Sequence, residues 1–225
     1  MTSAGPTRLA AGAVATYLGA VDWLIALLQS GEVASSWDEP SALARYSVGG
    51  VAAHAVQGGV LRLEQLLNEP EPPGRVVTVA EFFGPNRLAG PDDDDPLFAL
   101  LRAGAEEFSR RGPVAVVARC VTCRDALARE LPMERADRGV SSVRVPDGRV
   151  PLADYLRTRV LEVVVHGDDL LASVSGLGAP DPPPEAVGVC LNLCVDLARA
   201  RAGDVETLRA FTRAERTTPG TLRVL

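Results

Sequence analysis

The sequence predicts a mainly α protein: a helical bundle with a short β-hairpin and a small C-terminal helical or α/β appendage. Three observations carry this. Most long segments repeat apolar residues at helical spacing. Proline- and glycine-rich stretches separate those segments. Strand-like alternation is clear only between Val140 and Pro151.

A chain of 225 residues with 47% hydrophobic content can bury a full core, so one main domain is expected. We place it at residues 1–175, with residues 176–225 as the small appendage. The net charge is −6, and all 23 basic residues are arginine. No basic cluster marks a nucleic-acid surface. Asp22 interrupts the apolar N-terminal run short of the ~20 residues a membrane span needs, and no basic segment precedes it. Four cysteines without a secretory signal fit a reducing compartment. The expected protein is cytoplasmic, a monomer or a homodimer, without membrane or nucleic-acid partners.

The first helix is predicted over Thr7–Gln29, from Val14, Tyr17, Leu18, Val21, Leu24, Ile25 and Leu28, with Ser30 and Gly31 as its stop. The second spans Ser47–Asn68 and ends at Pro70, Pro72 and Pro73. It is apolar around most of its circumference, with His54 at the edge of the Val51, Ala55, Gly59, Leu66 face and Arg62 within that face. Residues 84–96 form a loop whose run Asp92–Asp95 lacks the ligand spacing of a calcium loop and favours the positive end of the next helix. Helices over Leu97–Arg110 and from Pro113 to Arg129 follow. The second holds Cys120 and Cys123, for which redox or zinc chemistry competes with simple burial. No second cysteine pair stands at zinc-finger spacing, and burial is the better account, as it is for Cys190 and Cys194.

Asp147 and Gly148 between two β-prone runs predict a hairpin over Val140–Pro151. A helix over Leu152–Val174 comes next. Past the proline-rich boundary at Pro180–Pro184, helices are predicted over Glu185–Ala202 and Asp204–Arg216. The terminal TLRVL is a candidate extra strand for the hairpin.

The chemistry concentrates on the helix at Leu152–Val174. At 100° per residue its polar side chains form two groups. Asp154, Arg157 and Asp168 make an ordinary solvated face. Tyr155, Thr158, Arg159, Glu162, His166, Asp169 and Ser173 form a second stripe, which points to a polar cavity inside the bundle. Glu162 and His166 stack one turn apart, and the other histidine of the chain is His54. Two imidazoles and one carboxylate suit Zn2+ and leave a coordination position open; Ni2+, iron or manganese are chemically permissible. The competing reading is an exposed Glu162–His166 hydrogen-bonded pair with His54 a satisfied helix residue. Asp169 and Arg159 stand one turn outside the pair and can orient the ligands, although Arg159 also fits a plain ion pair with Glu162. Arg62 can bind an anionic substrate or simply bury its stem.

The string RTRVLEVVVHGDDL (Arg157–Leu170), preceded by VGGVAAH (Val48–His54), resembles the mycothiol-dependent maleylpyruvate isomerase-like family of the DinB-like superfamily. The resemblance covers about Thr7–Ser175. It implies an up-and-down four-helix bundle with a divalent metal, usually zinc, held by His54, Glu162 and His166, with Asp169 as the acidic residue after the last ligand. It also implies mycothiol as thiol cosubstrate, a small electrophile as substrate, and an assisting C-terminal arginine, for which Arg213 and Arg216 are candidates. The implied reaction is thiol activation leading to cis–trans isomerisation or S-transfer. A non-catalytic metal- or ligand-sensing module on the same fold is the alternative.

Overall fold

The computed structural model describes residues 7–84 and 95–224. In chain order its helices are α1 (Ala11–Leu28), α2 (Gly31–Ser35), α3 (Val48–Val56), α4 (Arg62–Asn68), α5 (Val79–Phe83), α6 (Pro96–Ser109), α7 (Pro113–Glu130), α8 (Leu152–Ser173), α9 (Pro184–Ala202) and α10 (Asp204–Thr212). Strands β1 (Arg75–Val76), β2 (Gly139–Val140) and β3 (Gly148–Pro151) form a small sheet in the order β1-β3-β2. This is a mainly α architecture with a short β element.

Helix α8 is the central post, packing against α1, α3 and α9, while α1 also meets α7 and α3 also meets α6. The buried face of α1 carries Val14, Tyr17, Val21, Leu24 and Leu28, and α8 contributes Leu156, Val160, Val163 and Leu170 to the same core. Among the described residues α1 is the one helix long and apolar enough to cross a membrane by length and composition, and half of it is buried within the fold. Close approach is bought with glycine: a Cβ on Gly167 of α8 would lie 2.2 Å from the Trp23 ring of α1.

The ends of the helices follow local chemistry. Ser47 caps α3 by accepting from Gly50 N–H at 2.8 Å, and its own backbone N–H donates to Glu106 of α6 at 2.9 Å. Asp95 caps α6 by accepting from Leu97 N–H at 2.7 Å, with Pro96 pre-set for the first helical position. That is the helix-start role expected of the acidic run; Asp92–Asp94 lie outside the described residues.

Several predicted elements are corrected. Helix α1 starts at Ala11 because the residues before it pair elsewhere: Leu9 N–H donates to Glu134 C=O at 3.0 Å, and Ala136 N–H to Thr7 C=O at 2.9 Å. Two short helices escaped the periodic reading. Ser30, expected only to stop α1, also caps α2, and a Thr78–Glu81 capping box builds α5. The hairpin forms with Val140 opposite Val150, but Gly148, expected in its turn with Asp147, begins β3 beyond a longer loop over 141–147, and the third strand is β1, parallel to β3. The C-terminal stretch is not that strand, because Arg201 holds it as irregular chain by donating to the carbonyls of Gly220 at 2.9 Å and Arg223 at 2.6 Å. Helix α10 ends at Thr212, where Arg213 leaves helical geometry at φ −148°, and a 3-10 turn spans Ala214–Arg216.

The most consequential departure lies in the second long helix. It is interrupted by a π turn, Gln57–Leu61, between α3 and α4. One extra residue in a turn rotates everything downstream by about 100° relative to an unbroken α-helix. Arg62, which the unbroken wheel puts among apolar residues, therefore turns to the same side as His54.

Candidate metal centre

His54 comes from the last turn of α3, and Glu162 and His166 come from the middle of α8. One carboxylate oxygen of Glu162, Oε1, faces both imidazoles, at 3.5 Å from His54 Nε2 and 3.6 Å from His166 Nε2. The rings of His54 and His166 meet edge-on with centroids 4.7 Å apart. The three ligand atoms all lie within 4.8 Å of one another. Donors about 2.0–2.1 Å from a tetrahedral ion sit roughly 3.3–3.4 Å apart, so both nitrogen-to-carboxylate spacings come close to those around a small divalent cation.

Both residues of the α8 pair are held from behind. Asp169 Oδ2 lies 2.9 Å from His166 Nδ1, which fixes the tautomer whose Nε2 lone pair points at the other ligands. Arg159 stands 3.7 Å from the second carboxylate oxygen of Glu162. It also donates to Gly58 C=O at 2.5 Å and to Thr158 Oγ1 at 3.1 Å, and its guanidinium lies 4.6 Å from the Tyr155 ring centroid. The tyrosine ring of Tyr46 flanks His54 with centroids 5.7 Å apart.

The electrostatics match this wiring. Burial by itself would lower the pKa of His166, but its hydrogen bonds to Asp169 and Glu162 outweigh that and raise it to about 9. For Glu162 burial alone would raise the pKa, and Arg159, His166 and His54 together hold it well below the usual carboxylate range. The metal-free cluster thus stores a proton on His166 beside an ionised carboxylate.

The π turn also packs against α8 here. Its three consecutive carbonyls each accept from a side chain: Gly58 from Arg159, Gly59 from the buried Tyr17 hydroxyl at 2.9 Å, and Val60 from the Cys123 thiol at 3.7 Å. Proximity demands glycine at Gly59 and leaves little room for a side chain at Gly58. A Cβ on Gly58 would come within 3.1 Å of Glu162 Oε1, and one on Gly59 within 2.5 Å of Val163. The sequence pattern gives Tyr17 and Gly59 only a packing role and leaves Gly58 without one. The adjacent glycines inside an otherwise apolar helix were the available signal.

A cavity of about 610 Å³ opens beside the cluster and is walled in part by His54, Glu162, Arg159 and Arg62. Arg62 is half-buried and pairs with Glu69 at 3.3 Å. Arg213 is not among the lining residues; it is exposed at the end of α10, donating to Thr212 C=O at 2.7 Å, and Arg216 is likewise exposed beside Glu215. On α8 the second polar stripe does face inward: Thr158 and Arg159 are buried. The first stripe is only partly solvated, since Arg157 reaches across to Asp196 of α9 at 2.6 Å.

The four cysteines are free thiols. Burial pushes Cys120, Cys123 and Cys190 up to about 12, which keeps them protonated and poorly nucleophilic.

Neither a curated protein nor a solved structure matches this sequence. A family profile does, that of the mycothiol maleylpyruvate isomerase N-terminal domain, over residues 19–171. The match runs from within α1 to the last turn of α8, so it takes in all three candidate ligands and the Asp169 carboxylate behind His166, while α9 and α10 lie beyond it. Covering more than half of the chain, it shows that the protein belongs to this mycothiol-related, DinB-like metal-binding family.

Proposed function

We propose that this protein is a divalent-metal enzyme that turns a low-molecular-weight thiol, mycothiol, on a small electrophile, by cis–trans isomerisation or by S-transfer. The observation that carries the reading is the convergence of His54, Glu162 and His166 on one point in the wall of a cavity. A closed structural site would hold four protein ligands; three leave room for a reactant. The donor set favours Zn2+, with Ni2+ and other divalent ions chemically allowed. A divalent cation in that position supplies Lewis acidity, which lowers the pKa of a thiol brought to it.

The chain's own residues divide the remaining work. Asp169 keeps His166 in the ligating tautomer. Arg159 ties Glu162 to the π turn, so that the carboxylate and His54 keep their spacing. Arg62, on the cavity wall, is the cation best placed to receive an anionic group of an incoming molecule. The buried cysteines take no part, so the nucleophile has to be brought in. The cytoplasm, where such thiols stay reduced, is the fitting compartment.

Metal analysis of protein purified without chelator or metal-affinity tag tests this reading. About one equivalent of divalent metal per chain is expected for a single site of this kind, and less than about a tenth would overturn it. Incubation of the metal-loaded protein with mycothiol and a panel of electrophiles then separates catalysis from sensing. Conjugation or isomerisation that His54→Ala abolishes supports the enzyme; tight thiol binding without turnover supports a ligand-sensing module.

A further inference from the structure

Helix α10 is amphipathic with its apolar side turned away from the fold. Its three large apolar residues, Val205, Leu208 and Phe211, are 61%, 63% and 58% exposed, whereas the residue it buries is Thr207. Three-residue steps keep those side chains on one side of the helix. A helix laid on a core for its own stability turns that side inward.

The helix is held firmly enough to present this face. At its start Arg199 of α9 donates to Asp204 at 2.7 Å. Glu206 accepts from the Thr218 N–H at 2.9 Å and from the Thr217 hydroxyl at 3.2 Å. Arg201 of α9 ties down the stretch that carries these threonines, in which Thr221 and Val224 are buried. The outward apolar face is therefore a fixed feature rather than a frayed end, and apolar residues exposed in this way mark an interaction surface.

Charge and spacing decide what fits it. Over residues 204–216 the arginines Arg209, Arg213 and Arg216 are balanced by Asp204, Glu206 and Glu215, so no basic excess is present to hold an anionic membrane surface. The spacing is symmetric instead. With a two-fold axis through Leu208, an antiparallel copy of α10 sets Leu208 on Leu208 and, twice over, the smaller Val205 on the larger Phe211. In that register Asp204 comes opposite Thr212 beside Arg213, Glu206 opposite Ala210 and Arg209 opposite Thr207, so no like charges meet. A parallel register would stack Asp204 on Asp204 and Arg209 on Arg209. The pairs within the chain, Asp204 with Arg199 and Glu206 with Arg209, need not break.

We infer that α10 docks on α10 of a second copy of this chain, antiparallel about a two-fold axis at Leu208. Three large apolar residues from each copy make a small interface, so the association is weak and concentration-dependent. The surface lies outside the region of the family match and outside the cavity, so docking there does not depend on the proposed chemistry.

Sedimentation velocity of the full chain from about 5 μM to about 500 μM tests it. The weight-average mass is expected to climb from that of one chain, 23.7 kDa, toward twice that value. Leu208→Asp sets two carboxylates against each other on the axis, at a position exposed in the single chain. It is expected to hold the mass at one chain throughout, with an unchanged circular dichroism spectrum. Leu208→Cys is expected to give a disulfide-linked dimer when oxidised with diamide, whereas Val114→Cys, at an exposed apolar position on α7, is not. A wild-type mass that stays at one chain to the highest concentration, a Leu208→Asp chain that still dimerises, or equal cross-linking at the two cysteines would each overturn the inference. Binding of a purely monomeric wild-type chain to phosphatidylserine vesicles, lost in Leu208→Asp, would overturn it as well and make a membrane the occupant.

Discussion

Glu162 and His166 stand four residues apart on α8, and Cys190 and Cys194 stand four residues apart on α9. Both pairs offer metal-ligating chemistry at one helical turn, and in the sequence they look alike. The structure separates them by their surroundings. The α8 pair meets a third ligand from α3, a carboxylate behind the imidazole and a guanidinium behind the glutamate. The α9 pair meets no further ligand cluster among the described residues, and burial keeps Cys190 protonated. Spacing on one helix nominates a pair; convergence from a second helix, with charged groups that fix the donors, makes a candidate site.

The largest expected effect comes from breaking that convergence. His54→Ala removes the ligand contributed by α3 and is expected to abolish stoichiometric metal uptake, while Cys190→Ala leaves the metal content unchanged. Elemental analysis of the two variants side by side reads the contrast directly. Equal metal loss in both would erase the distinction between the two pairs.

Next in size is the effect of pH. In the metal-free protein His166 titrates at about 9, so below that pH a metal ion has to displace its proton. Apparent metal affinity is expected to fall about tenfold per pH unit as pH drops from 9 toward 7. The stability of the metal-free protein moves the other way. A folded-state pKa above the ordinary value near 6.5 means a contribution that is fully present below that value and is lost as pH rises through about 9. Chelator-competition titrations and melting curves across pH 6.5–9 check both signs. A pH-independent affinity would break the account of how Asp169 and Glu162 charge His166.

Asp169→Asn sharpens the same point more gently. The amide still reaches His166 Nδ1 but no longer favours the ligating tautomer, and loss of such a partner costs about 10–100-fold in metal affinity. The metal dissociation constant measures it, and an unchanged value would reduce Asp169 to a surface ion pair.

How much of this was legible follows from the same contrast. Residues whose placement depends on one helix could be read directly: the wheel put Thr158, Arg159, Glu162, His166 and Asp169 on one inward stripe of α8, and the structure buries or half-buries all of them. What depends on a second element was harder. His54 is nominated by elimination, being the other histidine, whereas its approach to Glu162 depends on how α3 packs against α8, which no periodicity within one helix reveals. The misplacement of Arg62 originates in the π turn instead, since the wheel assumed an unbroken helix and the extra residue rotates Arg62 away from its apolar neighbours. The cavity wall was invisible for a third reason. Leu97, Leu100 and Leu101 read as an ordinary apolar helix face, and only the packing of α6 on α3 leaves that face open beside the cluster.

The smallest effect tests the piece the sequence did not show. Tyr17 is fully buried on α1, and its hydroxyl donates to the Gly59 carbonyl inside the π turn. Tyr17→Phe keeps the ring and the packing and deletes that donor alone. Loss of one buried hydrogen bond costs about 1 kcal/mol, which lowers the melting temperature of a chain this size by about 2–4 °C. If the hydroxyl only adds stability, metal affinity stays where it was. If it holds the turn on which Arg159 and through it Glu162 rest, metal affinity falls with stability, and amide hydrogen exchange speeds up at Gly58–Leu61 before it does elsewhere in α3 and α4. The second outcome is the expected one, because Arg159, the side chain on the adjacent Gly58 carbonyl, is the same one that faces Glu162, so a turn loosened at Gly59 is loosened at the ligand as well.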